Sequence, residues 1–178
     1  MKVFLDFDGV ILDTDSAIDL EFDGNGSRGD FIKNYDWFKL MRDDLVINRA
    51  FDYIKNSKYS VNLLSKFCSI CEGQAKIKYL RKNEVNIDIN LVPTLINKCD
   101  VVSASGNVLI DDKVSNLDSW SERGGISIFF NKDSKDIDIH GVRNTLYPMI
   151  SDLSCLVNGI EDIIKKTRLV VFFLYYIW

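Results

Sequence analysis

The sequence predicts an α/β protein: a Rossmann-like parallel β-sheet with helices on both faces and a small helical cap insertion after the first strand. Three observations carry that expectation. Short apolar runs alternate with helically spaced stretches along most of the chain, which implies right-handed crossovers between parallel strands. Two of the runs, Val3 to Asp8 and Asn107 to Asp112, end in paired aspartates. A turn-rich segment, Gly24-Asn25-Gly26-Ser27-Arg28-Gly29-Asp30, interrupts the pattern soon after the first strand.

The elements follow in order. Val3-Phe4-Leu5 enters as a buried strand, and Gly9 lets the backbone turn away after Asp6-Phe7-Asp8. Between residues 14 and 57, Phe31, Tyr35, Phe38, Leu45, Phe51 and Ile54 recur at loosely helical spacing, so this stretch reads as the insertion. Ser60 to Ser65 is expected as the second strand and Cys71 to Lys82 as a helix carrying Ala75, Tyr79 and Leu80 inward. Asn86 to Val92 alternates strictly and is stopped by Pro93, giving a third strand. The pattern from Thr94 to Gly106 fits neither period. Asn107 to Asp112 is the fourth strand, Asn116 to Arg123 a helix closed by Gly124-Gly125, and Ile126 to Phe130 the fifth strand. Ser151 to Thr167 has apolar residues at helical spacing and is expected to cover one face of the sheet. The domain reading is a core of 1–13 and 58–168, a helical insertion at 14–57 and an apolar tail at 169–178.

Composition narrows the class. With 178 residues, 47% hydrophobic and 27% charged, the chain can bury a sizeable core. A formal net charge of -4 gives no electrostatic footprint for nucleic acid, so an anionic ligand needs a local metal or lysine. The four cysteines lie in apolar surroundings, and the N-terminus lacks a basic-then-apolar leader, which together predict a reduced, cytoplasmic protein. Cys68 and Cys71 form a C-x-x-C without a second pair at metal spacing and read as helix residues packing inward. His140, the single histidine, reads as a surface or packing residue. The tail, Leu169 to Trp178, has half the ~20 residues a spanning helix needs. No membrane role is expected, and an edge strand, a homo-oligomer contact or a non-native remnant all fit it.

The chemistry concentrates at strand ends. In an open parallel sheet ligands bind beyond the carboxyl ends of the strands, where Asp6, Asp8, Ser65, Asp111 and Asp112 all fall. Adjacent carboxylates repel unless a cation lies between them, and Mg²⁺ accepts one or two carboxylates together with water and phosphate oxygens.

The set Asp6-Phe7-Asp8-Gly9-Val10, a hydroxyl residue ending the second strand, a lysine, and Leu109-Ile110-Asp111-Asp112 resembles the haloacid dehalogenase-like (HAD) hydrolase superfamily, phosphatase branch. Within it, Leu109 to Asp112 followed by Asn116, Trp120 and Gly124-Gly125 is most similar to 5'(3')-deoxyribonucleotidase-like members. The resemblance spans residues 1 to about 130. It implies that Asp6 is the nucleophile that becomes phosphorylated and that Asp8 is the general acid and base. It also implies that Mg²⁺ is held by Asp6, the Asp8 backbone carbonyl and Asp111 or Asp112. Ser65 would bind the transferring phosphoryl group. Lys98, in Lys98-Cys99-Asp100-Val101-Val102-Ser103-Ala104, is favoured as the phosphate lysine over Lys76, which is expected to face solvent. The insertion takes the place of a type 1 helical cap; Phe31, Tyr35, Trp37 and Phe38 either stack on a base or form the insertion's own small core. The implied function is a Mg²⁺-dependent phosphatase acting on a small phosphate ester, with a nucleoside 5'-monophosphate foremost. A sugar-phosphate phosphatase or phosphomutase, and a non-catalytic binding protein that keeps the fold, are the alternatives.

Overall fold

The computed structural model describes residues 1–133 and 147–165. Its strands are β1 (Lys2–Leu5), β2 (Ser60–Phe67), β3 (Asp88–Pro93), β4 (Val108–Asp111), β5 (Ile126–Phe130) and β6 (Met149–Ile150). They form one parallel six-stranded sheet in the order β3-β2-β1-β4-β5-β6. The helices are α1 (Thr14–Glu21), α2 (Arg28–Asn34), α3 (Ala50–Lys55), α4 (Ile70–Lys82), α5 (Lys98–Val101), α6 (Val114–Glu122) and α7 (Cys155–Asn158).

Alternation along the central strands divides the core in two. Val3 and Leu5 of β1 face one way with Leu63, Val108, Ile110, Ile128 and Phe130, where α3, α4 and α7 cover them with Ile54, Tyr79, Leu80 and Leu156. Phe4, Leu64 and Leu109 face the other way, against Leu117 and Trp120 of α6. The Trp120 indole meets Phe4 edge-on at 5.4 Å and donates from Nε1 to the Asn107 carbonyl at 3.2 Å, so its one polar atom is satisfied in the core. These two faces give the helix-covered parallel sheet that the alternating pattern predicts.

The order also fixes where a site can form. Strand order reverses at β1, whose neighbours are β2 and β4, and a crevice opens beyond the carboxyl ends at such a switch point. Leu5 is in register with Ile110, so Asp6 and Asp111 stand side by side at this edge, while its pairing with Leu63 puts Ser65 one position beyond Asp6, still inside β2 and paired with Leu91. The Asp6 amide still donates to the Ile110 carbonyl at 3.0 Å, which ties the first of them to the ladder.

Several expectations need correction. The single helix expected over 151–167 is broken: α7 ends at Asn158, Gly159 takes a φ of 127°, and helical structure resumes only over 161–165. The Ile160 amide donates to the Tyr59 hydroxyl at 2.9 Å instead of to a helical carbonyl, while Leu153, Leu156 and Ile160 stay buried as their spacing requires. The third strand begins at Asp88 rather than Asn86 and keeps Pro93 at its end, tolerated because β3 is an edge strand. The segment that matched neither period contains α5, and the short edge strand β6 was not anticipated. His140 and the tail at 169–178 lie outside the described residues.

The insertion leaves the core after Asp13 and returns where Leu12 bridges Val46 and the Ile47 amide donates to the Ile11 carbonyl at 2.9 Å. Its helices α1 and α2 and the 3-10 turn Trp37–Lys39 gather around Ala17, Ile18, Trp37 and Leu40 and rest on Ala75 of α4. From Ala50 on, the chain packs with the main core. Among the described residues no helix is long and apolar enough to cross a membrane.

Candidate active site

The strand-end carboxylates meet in one buried cluster. Oxygens of Asp6, Asp111 and Asp112 lie within 4.8 Å of one another, a spacing that suits a cation held between them. Asp6 is only 4% exposed, and its Oδ1 accepts from the Phe7 amide at 2.8 Å and faces the Lys98 ammonium at 3.0 Å. Burial pushes its carboxyl up, but the charges of Lys98, Lys76 and Lys113 outweigh that and hold Asp6 below the ordinary carboxylate value. These contacts favour the ionised form of Asp6.

The two aspartates of Leu109-Ile110-Asp111-Asp112 differ sharply in their surroundings. Asp111 is fully engaged: Lys98 donates to its Oδ2 at 2.6 Å, the Lys113 amide to its Oδ1 at 2.8 Å, and Asn116 Nδ2 reaches both oxygens at 3.1 and 3.0 Å. Asp112, just beyond β4, has a buried Oδ1 that meets no hydrogen-bond partner. Burial, then the charges of Asp6 and Asp111, push its carboxyl up to about 8. An orphaned buried oxygen beside two further carboxylates fits a divalent cation, with Asp112 and Asp6 free to ligate and Asp111 acting to hold Lys98. Gly9 is what permits the approach: at φ +73 it brings the β1 turn so close to Asp112 that a Cβ would collide with that carboxylate.

Asp8 turns away from this cluster. Thr14 donates to its Oδ1 at 2.8 Å and Lys76 to its Oδ2 at 2.5 Å, so both oxygens are held. Burial, opposed by Lys76 and reinforced by Asp6 and Glu72, raises its carboxyl above the ordinary value. Ser65 does not end the second strand as expected: β2 runs on to Phe67, and Ser65 inside it is fully buried, with Lys76 donating to its hydroxyl at 3.2 Å.

The six candidate residues thus form two neighbouring groups, Asp6, Lys98, Asp111 and Asp112 in one and Asp8 and Ser65 joined through Lys76 in the other. Of the six, only Asp6 and Asp8 line the cleft between core and insertion. The expectation about Lys76 is overturned. Instead of facing solvent, Lys76 is fully buried, with Phe7 and Trp37 rings 5.5 and 5.3 Å from its ammonium. The signal was present in the sequence: Glu72, Ala75, Lys76, Tyr79 and Leu80 form one inward stripe on α4, with the two charges an i,i+4 pair inside it. Lys98 is equally buried, so the site holds both of these lysines rather than one of the two. Sequence reasoning also missed Glu72, which Lys76 contacts at 2.6 Å and which accepts from the Cys68 amide and thiol at 2.8 and 3.0 Å. Cys68 accordingly precedes the helix and lines the cleft, while Cys71 packs against the insertion.

Above the carboxylates lies a cleft of ≈ 370 Å³ between core and insertion. Asp6, Asp8, Glu72 and Lys113 form its floor and side, and Ile18, Ile32, Trp37 and Phe67 its apolar walls. Arg28 reaches it from the insertion, already paired with Asp15 and Asp19 at 3.0 and 2.9 Å. Of the insertion's aromatics only Trp37 lines the cleft, almost wholly buried; Phe31 packs on Phe22 and Tyr35, and Phe38 stacks under Lys78.

No family model and no curated protein matches the chain. Solved structures do. The D,D-heptose 1,7-bisphosphate phosphatase of Burkholderia thailandensis aligns over 90% of this chain and 99% of its own, at 13% identity and a TM-score of 0.55. The corresponding phosphatase of B. bronchiseptica, complexed with magnesium and phosphate, aligns over 91% and 99%, at 13% identity and a TM-score of 0.55. A haloacid dehalogenase-like family hydrolase of Xanthomonas campestris aligns over 95% and 98%, at 12% identity and a TM-score of 0.54. The fold is that of the haloacid dehalogenase-like hydrolases.

Proposed function

We propose that this protein is a Mg²⁺-dependent phosphomonoesterase working through an aspartyl-phosphate. The observation that carries the reading is the division between two neighbouring carboxylates. Buried lysines hold the Asp6 carboxyl below the ordinary value, whereas burial raises that of Asp8, which Thr14 and Lys76 hold apart from the cluster. In the first half-reaction an Asp6 carboxylate oxygen attacks phosphorus. The bond to the leaving oxygen breaks, and that oxygen takes its electron pair and a proton from Asp8. In the second, Asp8 takes a proton from water as its oxygen attacks phosphorus, and the bond to Asp6 breaks to release phosphate. Ser65 and Lys98, both buried beside the cleft-lining aspartates, are the residues assigned to bind the transferring group. Asp6, Asp112 and the Asp8 backbone carbonyl are the residues that would hold the metal, which supplies positive charge against the repulsion between carboxylate and ester.

For the substrate we place a nucleoside 5'-monophosphate first. The cleft volume and the apolar wall of Ile18, Ile32, Trp37 and Phe67 suit a flat, partly apolar leaving group, although the aromatics available for stacking reduce to Trp37 and Phe67. A sugar phosphate is second, favoured by Lys66 and Lys113 on the cleft and by the names of the heptose bisphosphate phosphatases that share the fold. A reducing, cytoplasmic setting fits the four free cysteines. Phosphate release from a panel of nucleotides and sugar phosphates, with Mg²⁺ and with chelator, tests the reading. Metal-dependent release supports it, and release from no ester sinks it.

A further inference from the structure

The buried Lys76–Glu72 pair ligates no proposed metal, and although the charge of Lys76 is among those that hold Asp6 low, its direct contacts are with Asp8 and Ser65. The Lys76 ammonium has three protons and four oxygens around it: Asp8 Oδ2 at 2.5 Å, Glu72 Oε1 at 2.6 Å, the Lys66 carbonyl at 2.9 Å and Ser65 Oγ at 3.2 Å. Glu72 is itself fixed: its amide donates to the Ser69 hydroxyl that caps α4 at 3.2 Å, and its second carboxylate oxygen accepts from the Cys68 amide and thiol. A rigid chain thus runs from α4 through Glu72 and Lys76 to the Asp8 carboxylate on one side and the Ser65 hydroxyl on the other.

Resting on the phosphatase reading above, we propose that Lys76, locked by Glu72, is a positioning residue that sets the Asp8 carboxylate for proton transfer and couples its placement to Ser65. The alternative is a buried ion pair that merely completes the core. The two differ in consequence. A residue that positions the proton donor matters in the first half-reaction only when the leaving oxygen needs a proton, and matters in the second for every substrate, since water must always be deprotonated.

Two variants test this. Lys76→Met alone strands Asp8 and Glu72 without their counter-charge and can fail to fold, so it is paired with the double variant Glu72→Gln/Lys76→Met, which removes one buried charge of each sign. Single-turnover formation of the phosphoenzyme is measured with an alkyl phosphate and with nitrophenyl phosphate, whose leaving phenolate is stable without a proton. The proposal expects the alkyl reaction to slow by roughly 100-fold and the nitrophenyl reaction by less than about fivefold, the range of a lost general acid. It also expects a stoichiometric burst of nitrophenolate followed by slow turnover as phosphoenzyme accumulates. Glu72→Gln alone should act in the same direction more weakly. Equal slowing of both esters with no burst, or no change in either, overturns the positioning role while leaving the phosphatase reading intact. A wild-type protein that cleaves neither ester overturns both.

Discussion

Gly9→Ala is the most informative substitution in this protein because two separable effects meet there. The first is backbone strain: Gly9 sits at φ +73, where an alanine costs roughly 1–2 kcal/mol. The second is local, since the added Cβ would press on the Asp112 carboxylate. Pushing that side chain off its rotamer costs about 0.5–1.5 kcal/mol more. Gly106 isolates the first effect, having a φ of +71 with nothing within 4 Å of its would-be Cβ. Gly106→Ala should therefore lower the melting temperature by about 2–8 °C, at ~2–4 °C per kcal/mol for a chain of this size. Gly9→Ala should lower it by about 3–14 °C on the same scale. The decisive assay is the rise in melting temperature as Mg²⁺ is added, because an ion that binds only the folded state stabilises it by mass action. Wild type and Gly106→Ala should share that rise, and Gly9→Ala should lose most of it. An undiminished rise in Gly9→Ala would refute the assignment of Asp112 as a metal ligand packed under the turn.

Two further outcomes follow from the packing and the titration of single groups. Trp120→Ala, which empties the face shared with Phe4 and Leu117, should cost about 3–5 kcal/mol in urea melts, and a loss under about 1 kcal/mol would contradict that packing. Burial, then the hydrogen bond and charge of Glu72, push the Cys68 thiol up from 9.0 to about 12, so its alkylation near pH 8 should be far slower than that of a free thiol and should quicken in Glu72→Gln. Because the folded value is the higher one, the stability tied to this proton is complete below about 9 and is lost as pH climbs toward about 12. Alkylation of Cys68 at the rate of an unfolded control would show that the contact with Glu72 does not form.

The sheet was legible because its central strands are buried on both faces and read as short apolar runs with punctuation between them. Asp6, Asp8, Asp111 and Asp112 were legible for a related reason: they stand at the ends of those runs, and parallel pairing brings strand ends together. Ser65, expected at a strand end, lies inside β2 because Lys66 and Phe67 continue the pairing with β3. Lys98 was found through a resemblance, not through its pattern, since the four-residue helix α5 is too short to show a period. Lys76 was misread because a charge on a helix is ordinarily solvated; only its alignment with Ala75, Tyr79 and Leu80 shows it pointing inward. The break at Gly159 escaped because Leu156, Ile160, Ile163 and Ile164 keep helical spacing across it, and the competing partner, the Tyr59 hydroxyl, comes from a distant part of the chain.

The central claim is that Asp6 carries the phosphoryl group. Acid-quenching the protein during turnover of nitrophenyl phosphate with Mg²⁺, then mapping its peptides by mass, reads this directly. The account predicts a phosphate-sized increment on the peptide containing Asp6, absent in Asp6→Asn together with turnover. Phosphate release that persists in Asp6→Asn, or an increment on another residue, would contradict it.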